Sequence, residues 1–263
     1  MPNLKDNLRR WRESAEIDWF SHFIKAWIPF NAWMTDTFGD LPDRELLDRV
    51  KAGSNVVFNR IVPMLNPKRD NSQDAQEFRL QVAELHRLLQ SCLVEGRKGR
   101  VSFECVDIGH NKNKKEIRVK WKRTFKVERD VPANGQVTLT MTDTKSVLSF
   151  TYIQVEHDRR DLEDEPSFQK LEAGHRNQLL AMHEAVAPRL VRSVLAEYNA
   201  TEKLRCGNTD FVADPAKLFS ALVDVIYNLR NALFHGSITP NEQHNEIYEP
   251  AYHIVMRLVR CTM

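Results

Sequence analysis

Apolar residues recur at steps of three and four along the first third of the chain. Phe20, Ile24, Trp27 and Met34, with Phe23 and Phe38 beside them, mark the buried stripe of a helix over about 13–37, because that spacing puts side chains on one helical face. Pro29 is expected to kink it. Gly39 and Pro42 punctuate the chain before a second helix near Asp43, and Pro63 and Pro67 close the segment after it. Phe78, Val82, Leu85, Leu88 and Leu89 then predict a helix over 72–94.

The period changes to two over 101–155. Ile117, Val119, Trp121, Phe125 and Val127 alternate with Arg118, Lys120, Lys122 and Lys126, and Val137, Leu139, Met141, Leu148, Phe150 and Tyr152 follow in the same rhythm. Turn signals at 107–111, 132–135 and 143–144 divide this stretch into an antiparallel meander of about four strands. Helical periodicity returns near Pro166 and predicts one or two helices over 167–199, with a kink at Pro188. Asp214-Pro215 has the form of an N-cap and first turn, opening a helix that reaches Phe234 or His235 and stops at Gly236, with Pro240 beyond. A last helix fills 242–261. The expected fold is therefore mainly α, a discontinuous helical domain of 1–97 and 158–263 interrupted by an antiparallel β insert at 98–157.

Composition narrows the function classes. With 263 residues, 42% apolar and 28% charged, the chain can build a proper core inside a solvated surface. A net charge of only +2 means that any nucleic-acid footprint has to be local. Cys92, Cys105, Cys206 and Cys261 are widely spaced, which argues against a zinc knuckle and a disulfide framework and for reduced thiols in a cytoplasm. The first residues carry charge and no apolar signal region. The stretch from Trp19 to Met34 is broken by His22, Lys25 and Asn31 and is too short to span a bilayer, so no membrane role is expected. Walker A, G-x-S-x-G, G-x-G-x-x-G and H-E-x-x-H patterns are all missing from the sequence, and neither a metal nor another cofactor is expected.

The chemistry-bearing run is Tyr227-Asn-Leu-Arg-Asn-Ala-Leu-Phe-His-Gly236. On a helix at roughly 100° per residue, Leu218, Leu222, Val225, Ile226, Leu229 and Leu233 form one apolar stripe. Tyr227, Arg230, Asn231 and His235 fall opposite, with Arg230 and His235 roughly 140° apart. A second helix on that polar face, such as a two-fold dimer supplies, would be needed to make them converge. A histidine at a helix end can exchange protons near neutral pH, and an arginine can neutralise charge on a phosphate. These two residue types suffice for RNA scission by the ribose 2′-OH.

The same run resembles the HEPN superfamily, whose ribonuclease members carry R-x4–6-H, often with a polar residue after the arginine. Arg230-Asn231-Ala-Leu-Phe-His235 has that form, and Gly236 is common in relatives. The segment Phe23-Ile-Lys-Ala-Trp27-Ile-Pro-Phe30-Asn31-Ala-Trp33 is similar to an aromatic helix of several HEPN-like proteins. The resemblance covers the helical parts at both ends and leaves out the β insert. It implies a HEPN-like helical bundle, a homodimer with a composite site, and metal-independent endoribonuclease activity with Arg230, Asn231 and His235 as catalytic residues. It also implies a toxin–antitoxin or antiviral defence setting, with an antitoxin or regulatory protein as a further partner, or else an inactive module that binds RNA or protein.

Arg79 to His86 and Arg176-Asn177 to His183 also match the spacing. Arg176 and His183 form the alternative catalytic pair, since seven residues return to nearly the same helical face. The plainer reading of His235 is a histidine capping the last carbonyls, and that of Arg230 a surface ion pair, with Asp224 among the candidates. Between Lys112 and Arg129 there are nine basic and two acidic residues. Arg118, Lys120, Lys122 and Lys126, with Tyr227, are therefore candidate RNA contacts, the alternative being a lysine-protected edge strand.

Overall fold

The computed structural model describes residues 18–96, 99–130 and 136–262. The chain runs through α1 (Trp19–Phe38), α2 (Asp43–Lys51), α3 (Val56–Met64) and α4 (Gln73–Ser91) to the short strands β1 (Glu95–Gly96) and β2 (Gly99–Arg100). Five longer strands follow: β3 (Val106–His110), β4 (Lys115–Lys120), β5 (Arg123–Arg129), β6 (Val137–Asp143) and β7 (Leu148–Gln154). Then come α5 (Arg159–Asp164), α6 (Pro166–Gln169), α7 (Ala173–Ala185), β8 (Arg189–Arg192), β9 (Lys203–Cys206), β10 (Thr209–Val212), α8 (Pro215–Phe234) and α9 (Glu242–Arg260).

The expectation of a mainly α protein is overturned. About 50% of the chain is helical and about 20% is strand, in several sheets of two to four strands, so the protein is mixed α/β. Part of the difference lies at 186–212. Instead of continuing as helix through Pro188, α7 ends at Ala185, and β8, β9 and β10 follow. A proline inside a helix removes a backbone donor and clashes with the preceding turn. The turn expected at 107–111 is also largely strand, β3. The turn expected at 132–135 and the helical start expected at 13–17 lie outside the described residues.

The chain divides into two compact units, residues 1–108 with 191–263 and residues 109–190. In the first, α1 packs against α9, α9 against α4, and α3 against α8. Phe23, Trp27, Phe30 and Met34 of α1 are buried, and the helix runs on through Pro29. Asn31 is half-buried, and its carbonyl accepts a hydrogen bond from Thr35 Oγ1. Most of the circumference of α8 is covered, Leu218, Phe219, Ala221, Leu222, Val223, Val225, Ile226 and Leu229 all being buried. A helix apolar all round belongs inside a core.

The second unit has its own core. The antiparallel meander β4-β5-β6-β7 buries Phe125, Val127, Val137, Leu139, Met141 and Phe150 against Leu162, Phe168, Leu179 and Met182 of α5, α6 and α7. The unit therefore spans 109–190, where the sequence pattern placed an insert at 98–157. Helical periodicity tells that a face is buried, not which core buries it.

Candidate active site at the end of α8

Local chemistry fixes both ends of α8. Asp214 accepts a hydrogen bond from Lys217 N, satisfying a first-turn donor, and Pro215 needs no such partner. At the other end Gly236 N donates to Leu233 O (3.2 Å) and Ser237 N to Ala232 O (2.9 Å). These are the two reversed bonds of a Schellman stop, and Gly236 supplies its left-handed residue with φ +65°. The stop carries the chain away from the core just as the motif ends, so Arg230 and Asn231 are half-buried and His235, the C-cap, is exposed.

The three residues are joined through Asn231. Arg230 Nη1 donates to Asn231 Oδ1 (2.9 Å), and His235 N donates to Asn231 O (2.9 Å). Asn231 and His235 also line an open cleft of about 470 Å³, together with Glu95, Gly96, Ala232 and Ser237. Arg230 is not part of that lining. Its guanidinium lies 4.6 Å from the Phe234 ring centroid and 3.4 Å from Asp43 Oδ2, while Nε is buried without a hydrogen-bond partner. The catalytic arginine and histidine expected from the sequence are thus linked through Asn231 rather than set side by side.

The polar side of α8 is occupied by α2 of the same chain. Arg44 Nη1 donates to Asp224 Oδ1 (2.8 Å), lies 3.6 Å from Asp107 Oδ2 and sits 5.0 Å from the Tyr227 ring centroid. Lys51 Nζ donates to Asp107 O (2.8 Å) and lies 3.8 Å from Asp224 Oδ1. Asp107 N and Asn228 Nδ2 also donate to Asp224 Oδ2 (2.9 and 3.2 Å). Burial pulls the Lys51 ammonium below its ordinary pKa, with Asp224 and Asp107 opposing. Two cations facing two carboxylates balance the buried charge, the condition for tolerating it. Asp224 is therefore not the partner of Arg230. Tyr227, expected as an RNA contact, is half-buried between Arg44 and Trp27.

The alternative pair on α7 is placed quite differently. Arg176 Nη1 donates to Gln169 O (2.6 Å) and Leu171 O (3.1 Å), tying down the corner before its helix. His183 is 1% exposed, stacks on His157 at 3.8 Å between centroids and bonds Gln154 Oε1 through Nε2 (2.7 Å). Burial, helped by His157, pulls its pKa down to about 3. At neutral pH this imidazole is uncharged and sealed from solvent. Arg79 also closes carbonyls, those of Met64 and Asp70, and His86 lies against Phe103 and Phe211.

The four basic strand residues do not share one face. Lys120 pairs with Arg123 across a two-residue turn, so Arg118 lies opposite Phe125 while Lys126 lies opposite Ile117. Directly paired residues point the same way. Arg118 and Lys120 therefore emerge from the Phe125 face, Lys126 from the other, and Lys122 stands in the turn. Arg118 is 3.5 Å from Glu116, and Lys126 is 2.5 Å from Glu128. The even-numbered alternation failed as a guide because an even-length turn swaps the parity of the strand that follows.

Sequence reasoning missed Asp43, Glu95 and Ser237. Local pattern does not pair Asp43 with Arg230 or bring Glu95 to the end of α8. Ser237, next to the predicted glycine stop, was within reach. Among the described residues no helix is long and apolar enough to cross a membrane, and no group of three or more His, Cys, Asp or Glu is placed to hold a metal ion. Compared with known proteins, the chain matches no family model, no curated protein and no solved structure.

Proposed function

We propose that this chain is a metal-independent endoribonuclease of the HEPN type, working as a homodimer through the end of α8. The observation that carries the reading is the position of Asn231, which holds Arg230 on one side and lines the cleft of His235 on the other. In the proposed reaction the ribose 2′-oxygen forms a bond to the adjacent phosphorus and the P–O5′ bond breaks. His235 either takes up the 2′-hydroxyl proton or protonates the departing O5′, and water makes the other of the two transfers. Arg230 neutralises charge on the pentacoordinate phosphate, and Asn231 Nδ2 orients a non-bridging oxygen. The products are a 2′,3′-cyclic phosphate and a 5′-hydroxyl.

One observation favours a second reading, a non-catalytic module that binds RNA or a protein. Arg230 is engaged by Asp43 and Phe234 and stays outside the cleft lining. The catalytic reading needs the second protomer to complete the site. Incubation of RNA with the protein in excess EDTA, followed by end-group analysis, separates the two. Cyclic-phosphate ends that vanish in Arg230→Ala and in His235→Ala, with DNA left intact, are expected. Ends that persist in both variants, or no cleavage by a verified dimer across a broad RNA panel, would sink the catalytic reading.

A further inference from the structure

The hairpin between β4 and β5 departs from the usual chemistry of its own turn. Both connecting residues, Trp121 and Lys122, have positive φ, 51° and 56°. A two-residue hairpin of this kind normally takes Asn-Gly or Asp-Gly, because a Cβ is strained there. Strain retained in a folded protein clusters where a particular side chain is required.

The turn presents a half-seated indole. One edge of Trp121 rests on Gly174, where a Cβ would lie 3.2 Å from the indole Cη2. Phe125 and His175 meet the ring edge-on at 6.3 and 5.6 Å between centroids. Even so, Trp121 remains 52% exposed. Lys120 Nζ stands 4.3 Å from its ring centroid, and Arg118, Lys120 and Lys122 are all exposed along the free margin of β4 and the turn. The acids close by are Glu116 beside Arg118, Glu172 beside His175 and Asp143 opposite Arg123; against them stand Arg118, Lys120, Lys122 and Arg123, so the cations prevail.

We propose that this hairpin tip binds single-stranded RNA, an unpaired base stacking on Trp121 while Arg118, Lys120 and Lys122 contact the flanking phosphates. A fixed aromatic ring bordered by cations suits this ligand because every base has a π-face and the backbone supplies the opposite charge. The Lys120 ammonium is a displaceable cover, since a cation over an exposed ring is held weakly, and once displaced it reaches a phosphate. A protein ligand is the poorer fit, because the tip offers one apolar ring among cations that would all need carboxylates. The choice of RNA among single strands rests on the ribonuclease reading above; the stacking platform does not.

The test is fluorescence anisotropy of the full chain with a labelled single-stranded 2′-O-methyl oligo(U), which lacks the attacking hydroxyl and survives the assay. Trp121→Ala is expected to weaken binding about 5- to 100-fold, and Trp121→Tyr to restore most of it. Lys122→Gly guards against misfolding. Glycine suits the left-handed position, so the melting temperature should rise while affinity falls and the salt slope drops by about 0.7. No binding by wild type overturns the proposal, as does unchanged affinity in Trp121→Ala or an unchanged salt slope in Lys122→Gly. Cleavage with hairpin-independent binding would remove this site and leave the ribonuclease reading standing. Hairpin-dependent binding without cleavage would do the reverse.

Discussion

Three helices of this protein carry an arginine followed within seven residues by a histidine, and two of them, α8 and α7, end in opposite ways. On α8 the helix leaves its core before the motif is complete, so Arg230 and Asn231 are half-buried and His235 is exposed beside an open cleft. On α7 the helix stays on its sheet, so His183 ends beneath Gln154 and His157 while Arg176 closes the corner at Gln169 and Leu171. Proton transfer requires an imidazole that can reach a substrate, and only one of the two helix ends provides that. Burial, not spacing, distinguishes the pairs. A bonded, buried histidine supports structure, whereas an exposed one at a Schellman stop has little structural work.

The largest expected effect comes from exchanging the insults. His183→Ala leaves a cavity and an unmatched Gln154 oxygen, and should destabilise the second unit by about 2–4 kcal/mol. His235→Ala removes an exposed side chain and should change stability by no more than about 0.5 kcal/mol, yet lower RNA cleavage about 10²- to 10⁴-fold. Urea unfolding can be followed by fluorine NMR of 5-fluorotryptophan protein, with Trp121 reporting on residues 109–190 and Trp27 on the other unit. A folded His183→Ala protein that loses cleavage as completely as His235→Ala would break the comparison.

Acid sharpens the same contrast. The His183 pKa falls from 6.5 to about 3 in the folded protein, so the unfolded chain takes up the proton first as pH drops. The stability this group supplies is complete above about pH 6.5 and is lost progressively toward pH 3. Between pH 7 and 5 the loss should be on the order of 2 kcal/mol, seen as an earlier urea midpoint of the Trp121 signal. His183→Gln should flatten that dependence. An equal acid shift in both proteins would place its origin elsewhere.

How much of this was readable in the sequence follows from the range of the forces involved. The span of α8 was legible because Asp214, Pro215 and Gly236 act on their nearest neighbours. The meander was legible because alternation over β5, β6 and β7 reflects a single buried face. By contrast, β8, β9 and β10 are four residues each, too short for period two to stand out. The split of Arg118 and Lys120 from Lys126 depends on the length of one turn. The candidate site was half legible. Its helix, its histidine and its glycine stop were, but the Asp43 partner of Arg230 and the Glu95 wall of the cleft come from distant parts of the chain. Long-range pairing leaves no local mark.

The smallest effect tests whether the end of α8 positions His235 or merely displays it. Gly236 has φ +65°, and a Cβ there would meet nothing within 4 Å. Gly236→Ala therefore meets no neighbouring group and should lower stability by about 1 kcal/mol through left-handed backbone strain alone. Gly236→Asn should lose less, because asparagine tolerates the left-handed region better. If the stop only ends the helix, cleavage per folded molecule will be unchanged in both. If it sets the imidazole against Asn231, relaxing the strain loosens the Ser237–Ala232 and Gly236–Leu233 bonds. Cleavage should then fall in the order wild type, Gly236→Asn, Gly236→Ala, with RNA affinity unchanged. That order is expected, because His235 N and Arg230 Nη1 both bond Asn231, through its carbonyl and its side chain, and a frayed last turn would release the first while leaving the second.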